Sequence, residues 1–309
     1  MNIVVFGAGG VGGYFGAKLA KAGNHVTFIA RGEHIKAIKK NGLQIKSILG
    51  NFTAFPKVTD TVNDIITKPD LIILGVKSWQ IVEVARQLKP IISKNTAVLP
   101  LQNGADNVDK LLTVLNIENV LAGLCRIVSK VETPGIINHF AFEPEIVFGE
   151  ISNEKSNRIK KIKETFDKAQ FKNRISDNIQ LDIWKKFLFI TTYSGIGALT
   201  RSVVGLFKTD SFIQNVMLET ANEIVQVAQK KGIQLTQEDI NKTMSIINSL
   251  DYNTTASMQR DIMEGKPSEL GNFNGYIIEQ GKILDIKTPI NSFIYHALLP
   301  QEKIARNLS

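Results

Sequence analysis

The chain reads as an α/β protein, with a doubly wound parallel sheet in its N-terminal part and an all-helical C-terminal domain. Three observations predict this. Short apolar strands alternate with helices over residues 1–125. From about residue 176 only helical patterns follow. Between the first strand and the first helix, Gly7, Gly9 and Gly12 form G-x-G-x-x-G, the turn of a Rossmann-type sheet. The expected domains are therefore 1–175 and 176–309.

In order along the chain, 2–6 is a strand, 10–22 a helix and 25–30 a second strand. Residues 42–58 suit β-structure with turns. A buried strand at 70–75, a helix at 79–89, a strand at 96–100, a helix at 105–115 and a strand at 119–125 follow. Repeated strand–helix units of this size favour right-handed crossovers with helices on both faces. Residues 127–148 are strand-like, broken by Pro134-Gly135 and by Pro144. The basic run 158–163 (RIKKIK) spaces Ile159 and Ile162 to face a core while its lysines face water. Helices are then expected at 179–199, 211–231, 237–249, 254–264 and 273–284, separated by breakers that include Gly205, Gly232, Gly265 and Pro289.

With 43% hydrophobic and 21% charged residues over 309 positions, the composition suits a globular protein with a large core. No apolar run reaches the roughly 18 residues of a membrane-spanning helix. The opening MNIVVFGAGG enters a strand at once, without the pattern of a secretion signal. The single cysteine, Cys125, fits a reducing cytoplasm and reads as a buried thiol in an apolar run. A net charge of +8 is spread along the chain. It supports an anionic substrate or phosphate-rich cofactor only weakly. A solvated helix face is the better reading of its densest run, and no nucleic-acid or membrane partner is expected.

The loop from Gly7 through Ala8, Gly9, Gly10 and Val11 to Gly12 is the candidate phosphate cradle. Gly7 permits the tight turn, Gly9 lets backbone approach a diphosphate, and Gly12 lets helix pack on strand. The helix N-terminus adds free N–H groups and the positive end of a dipole. An NAD enzyme usually carries an acidic residue about 20 positions on, for the ribose hydroxyls. Here the second strand ends in Arg31, nineteen residues past Gly12, with Glu33 two further along. An arginine at that tip can pair with a 2′-phosphate, so NADP is the expected cofactor.

Three more segments place polar residues among apolar ones. Lys77 follows the strand at 70–75, on the side where open sheets bind ligands. Asn103-Gly104 follows the strand at 96–100, and Lys186 begins a strongly apolar helix. A lysine there either snorkels to water or is desolvated enough to serve as a proton donor.

The segments GAGGVGGYFGAKLAKAG, ARG, VKSWQ, LQNG, WKKFLF and GKPSEL, in this order, resemble the ketopantoate reductase (2-dehydropantoate 2-reductase) family over nearly the whole chain. The resemblance implies NADP-dependent reduction of a 2-oxo acid to a 2-hydroxy acid. It implies that Lys186 protonates the carbonyl oxygen, and that Glu269 bonds the substrate or orients the lysine. Ser257 would contact the substrate carboxylate. Asn103 would lie near nicotinamide and substrate, and Lys77 in the cofactor cleft. Asn103 and Glu269 are thus expected to meet cofactor as well as substrate. Taken singly, residues of these types are mostly exposed or capping.

One departure bears on substrate. Well-known members carry asparagines four and eight residues after the lysine, on one helix face. Here those positions are Ile190 and Ser194, with Thr191 and Thr192 directed elsewhere. A lost hydrogen bond to a charged group costs roughly 1.5–3 kcal/mol. A different or less hydroxylated 2-oxo acid is one expectation, and a related dehydrogenase or a catalytically idle NADP sensor are the others. The four histidines, His25, His34, His139 and His296, show no metal-ligand spacing. His34, near Arg31, reads as a surface residue, with contact to the adenosine end of the cofactor as the alternative. Apolar C-terminal helices such as 293–299 suit either their own domain or a second subunit, which leaves a homodimer open.

Overall fold

The computed structural model describes residues 1–308, which divide into two compact units. One holds Met1–Gln102 and Asn107–Ile179, and the other holds Asn103–Asp106 and the chain from Gln180 onward.

The first unit runs β1 (Asn2–Phe6), α1 (Gly10–Lys21), β2 (His25–Ile29), α2 (Gly32–Asn41), β3 (Leu43–Ser47), β4 (Phe52–Ala54), β5 (Lys57–Thr59), β6 (Leu71–Leu74), α3 (Ile81–Leu88) and β7 (Ala97–Pro100). It continues with α4 (Asn107–Leu112), β8 (Leu121–Thr133), β9 (Ile136–Glu150), α5 (Asn157–Lys168) and β10 (Lys172–Ile175). One sheet is all parallel, in the order β5-β2-β1-β6-β7. The order grows outward on both sides of β1, which is the doubly wound pattern.

The second sheet is built on the long antiparallel hairpin β8–β9. β3 and β10 pair parallel with opposite halves of β9, and β4 pairs with β3. Helix α1 lies between the two sheets, so Tyr14, Phe15, Ala17 and Leu19 are all fully buried. A helix apolar all round is what such a position requires. The expected amphipathic helix is α5, with Ile159 and Ile162 buried. Cys125 is buried as well.

Three differences from the sequence reading have local causes. Pro144 does not break β9. The β8–β9 register jumps from Arg126↔Glu145 to Val128↔Ala141, and Phe142 has φ 61°. Pro144 falls in that bulge, where no ladder N–H is needed. Helix α2 was not anticipated, because GEHIKAIKKN buries only Ile35 and Ile38. The helices expected at 105–115 and 254–264 are shorter, at Asn107–Leu112 and Ser257–Met263.

The second unit is helical: α6 (Ile179–Thr200), α7 (Val204–Phe207), α8 (Ser211–Lys230), α9 (Gln237–Ser249), α10 (Ser257–Met263), a wide π-type turn at Gly271–Gly275, α11 (Tyr276–Leu284) and α12 (Pro289–Ala305). Its core gathers Trp184, Phe187, Phe273 and Tyr276 with aliphatic residues of α8, α9 and α12. Pro289 stands in the first turn of α12, where its missing N–H costs nothing. Among the described residues no helix is long and apolar enough to cross a membrane.

Candidate active site

In the first unit, strand order reverses between β1 and β6, and open sheets bind ligands outside the C-terminal ends of strands at such a point. The loops that leave these two strands meet there. Gly7 has φ +99°, and a Cβ on it would lie 2.9 Å from the Gly75 carbonyl carbon and from Val76 N. A Cβ on Gly12 would lie 2.1 Å from the Gly7 carbonyl oxygen, so helix and turn pack with no room for a side chain. Gly9 differs, since its only neighbour would be Gly75 O at 3.9 Å. Its backbone faces open space. Helix α1 starts one residue later with no side-chain cap and no acidic residue in its first turn. A cradle whose outer glycines are sterically required and whose middle one is open fits a diphosphate.

The other glycines of the run have a second duty. A Cβ on Gly10 would sit 2.4 Å from the Ser129 carbonyl oxygen, and one on Gly13 would sit 2.9 Å from Ile137 Cγ1. Both contacts are with the β8–β9 hairpin, so part of this glycine richness serves packing. Gly12→Ala is expected to force the loop and α1 apart, lowering stability by about 1–3 kcal/mol as overpacking does. Thermal unfolding with a cofactor titration checks this; wild-type values in both would contradict it.

Arg31 is the residue just before α2, exposed at the tip of β2, and among the described residues it makes no hydrogen bond or ion pair. Glu33 is engaged by Lys36 at 2.6 Å. Lys77 is exposed, with Nζ over the Trp79 ring at 5.6 Å. His34 corrects the sequence reading. It is half-buried, its Nε2 lies 2.8 Å from the Ala8 carbonyl oxygen, and its Nδ1 accepts the Gly135 N–H at 3.0 Å. Burial holds its pKa below the ordinary imidazole value, against the Ala8 hydrogen bond.

In the second unit, helix α6 carries Lys186 half-buried, Ile190 half-buried one turn on, and Ser194 fully buried after a second turn. The adjacent Lys185 is bound to Asp239 at 3.1 Å, so the two lysines are not interchangeable. Tyr193 lies seven residues from Lys186 and so shares its helix stripe. Its hydroxyl is buried and, like Ser194 Oγ, makes no hydrogen bond among the described residues. Burial pushes this phenol far up, only partly offset by Arg260. Tyr193 went unnoticed in the sequence because one aromatic in an apolar helix carries no signal.

Glu269 is buried. Its backbone is pinned from both sides. Its carbonyl oxygen accepts the N–H groups of Asn272 and Phe273, each at 3.0 Å. The preceding Ser268 gives its N–H to Glu302 Oε1 at 3.0 Å and its hydroxyl to Glu302 Oε2 at 2.5 Å. Arg306 closes the cluster, donating to Glu302 at 2.5 Å and to the Ser268 carbonyl at 2.8 Å. Farther along the same segment, Asn274 donates to Asn291 at 2.9 Å, and Asn291 donates to Glu223 at 2.7 Å. Asn274 Oδ1 is buried, makes no hydrogen bond among the described residues, and would lie 3.1 Å from a Cβ on Gly195. Ser257 opens α10, and Asn103 belongs to the segment that goes with this unit. Each unit thus collects its own share of the expected residues.

Comparison with known proteins bears on both units. Residues 3–153 match the family described as ketopantoate reductase PanE/ApbA, and residues 178–302 match its C-terminal part. The chain is 32% identical to "Uncharacterized oxidoreductase YkpB" of Bacillus subtilis, over 96% of this chain and 97% of that one. It is 30% identical to a 2-dehydropantoate 2-reductase of Pyrococcus horikoshii, covering 98% of each. Among solved structures, a ternary complex of D-mandelate dehydrogenase with NADH and anilino(oxo)acetate superposes with a TM-score of 0.91 at 25% identity, covering 100% of both chains. With its glycine cradle, its helical second unit and these matches across nearly its whole length, the chain belongs to the ketopantoate reductase PanE/ApbA family of oxidoreductases.

Proposed function

We propose that the chain is an NADPH-dependent reductase of a 2-oxo acid, with 2-dehydropantoate as its first-choice substrate and pantoate, on the way to pantothenate, as product. The observation that carries the cofactor choice is Arg31, exposed at the tip of β2 and, among the described residues, without a hydrogen bond or ion pair, while Glu33 lies against Lys36. A guanidinium there suits a 2′-phosphate, where an acidic residue would suit the ribose hydroxyls of NAD. The backbone of Gly7, Ala8, Gly9, Gly10, Val11 and Gly12 would hold the diphosphate, with Lys77 adding positive charge.

Bound NADPH supplies a hydride to the carbonyl carbon. The remaining work falls to the chain's own residues. Lys186 donates a proton from Nζ to the carbonyl oxygen as negative charge develops there, stabilising it by charge and hydrogen bond. Glu269 fixes the lysine and meets the substrate, Ser257 binds the carboxylate, and Asn103 orients the reacting carbonyl beside the nicotinamide. Domain roles follow: cofactor in the N-terminal unit, substrate and acid in the helical one. The single buried cysteine favours a cytoplasmic setting, and the substrate is a small anion.

Ile190 gives a second reading its specific support. Where relatives offer an amide to a substrate hydroxyl, this helix offers a branched alkyl group, leaving Ser194 Oγ and Asn274 Oδ1 as buried polar atoms nearby. A more apolar 2-oxo acid would suit that surface. The similarity to D-mandelate dehydrogenase, seen with NADH and anilino(oxo)acetate, supports this reading. Steady-state rates with NADPH and NADH over a panel of 2-oxo acids decide between them. We expect NADPH and 2-dehydropantoate to lead. If an aryl 2-oxo acid leads instead, Ile190 has redirected specificity, and if no 2-oxo acid is reduced the function is wrong. In the same assay Arg31→Glu is expected to reverse the cofactor preference by roughly tenfold or more, since one lost charge-assisted contact is worth about 1.5–3 kcal/mol.

A further inference from the structure

We propose that His34 is a positioning residue for the dinucleotide loop, a role that rests on the proposed cofactor binding. A glycine loop cradles phosphate with its N–H groups, and any carbonyl oxygen turned toward the phosphate repels it. Ala8 lies in the middle of that loop, one residue before Gly9, whose carbonyl accepts the first bond of α1 from Gly13 at 2.7 Å. The Ala8 oxygen therefore has no helical donor to fix its direction. His34 Nε2 supplies one, at 2.8 Å.

The donor role follows from the other side of the ring. Nδ1 accepts the Gly135 N–H at 3.0 Å, and a nitrogen that accepts carries no proton. The hydrogen of the neutral ring must then be on Nε2, pointing at Ala8 O. Burial favours this neutral form. The partner that fixes the tautomer is itself held in place. Gly135 turns the β8–β9 hairpin with φ +83°, and a Cβ on it would lie 2.9 Å from Ala37 Cβ, so the turn is seated on α2. The imidazole thus links the loop after β1, helix α2 and the hairpin tip. It holds a carbonyl in the middle of the loop that no helical N–H fixes.

Two amide substitutions separate this role from mere packing. His34→Gln places an amide N–H near the position of Nε2, and so can keep the bond to Ala8. His34→Asn places its amide near Nδ1, and so can keep Gly135 but not Ala8. NADPH affinity, read by fluorescence titration on the full chain, is expected to fall about tenfold in His34→Asn and His34→Ala. In His34→Gln it should stay within about twofold, with kcat at saturating NADPH unchanged in all three. Melting temperature is followed in parallel as the check on folding. Equal losses in the Gln and Asn variants, or wild-type affinity in His34→Asn, would overturn the positioning role while leaving the proposed function standing. A wild-type chain that binds no dinucleotide would overturn the function, and this role with it.

Discussion

Lys186→Ala is expected to lower kcat by about a hundred- to ten-thousand-fold, the range over which a positioned general acid contributes. The substitution is mild for the fold. Lys186 lies within a 22-residue helix, alanine is the best helix former, and the neighbouring ion pair Lys185–Asp239 is left intact. The unfolding temperature should therefore move little, and NADPH affinity should hold. A loss confined to kcat would mark a group that acts on the developing alkoxide rather than on binding. Lys185→Ala serves as the matched control, removing a charge one residue away that is committed to Asp239. If Lys186→Ala keeps a kcat within about threefold of wild type, the proton comes from another group, and Tyr193 on the same helix stripe is the first to test.

Glu302→Ala is expected to produce the largest loss of stability among single changes in the helical unit. The buried carboxylate accepts from Ser268 N–H, Ser268 Oγ and Arg306, and removing it leaves all three without their acceptor. Breaking a buried charge pair by deleting one partner costs about 3–5 kcal/mol. For a unit of this size that corresponds to roughly 10–20 °C in melting temperature. The consequence reaches the site, because Ser268 is the residue before Glu269. Loosening it frees the glutamate, so kcat measured well below the lowered melting temperature should also fall. Glu302→Gln keeps shape and two acceptor lone pairs but loses charge, and should fall between the two. Unfolding scans and steady-state rates on the same samples check both parts. A Glu302→Ala protein with unchanged melting temperature would show that the cluster contributes nothing to stability.

What the sequence disclosed depended on how local each signal is. The strand, glycine turn and helix of 2–22 are legible because every required residue lies within a few positions of its neighbours. The long apolar helices of the second unit are legible by the same token. Glu302 and Ser268 are 34 positions apart, and Glu223 and Asn291 are 68 apart. No spacing rule announces such pairs. His34 was misread for a related reason. Its partner Gly135 is 101 residues away, so a buried bridging imidazole is written in the same letters as a surface one. The glycine run was legible in kind but not in full, since Gly10 and Gly13 also make room for a hairpin whose path only the fold reveals. Pro144 looked like a break because a bulge that tolerates proline is a property of strand register. Of the candidate site, Lys186 and Glu269 were reached through the family resemblance and not through any local pattern that demands them.

As proposed, this chain moves a hydride from NADPH to the carbonyl of a 2-oxo acid with Lys186 as the acid. Its most direct test is product analysis after incubation of the full chain with NADPH and 2-dehydropantoate. We expect one equivalent of pantoate formed for each NADPH oxidised, at a rate that Lys186→Ala reduces at least a hundredfold. NADPH bound but left unoxidised in the presence of 2-dehydropantoate and every other 2-oxo acid tried would overturn the proposed reaction, and would leave a dinucleotide-binding protein without this chemistry.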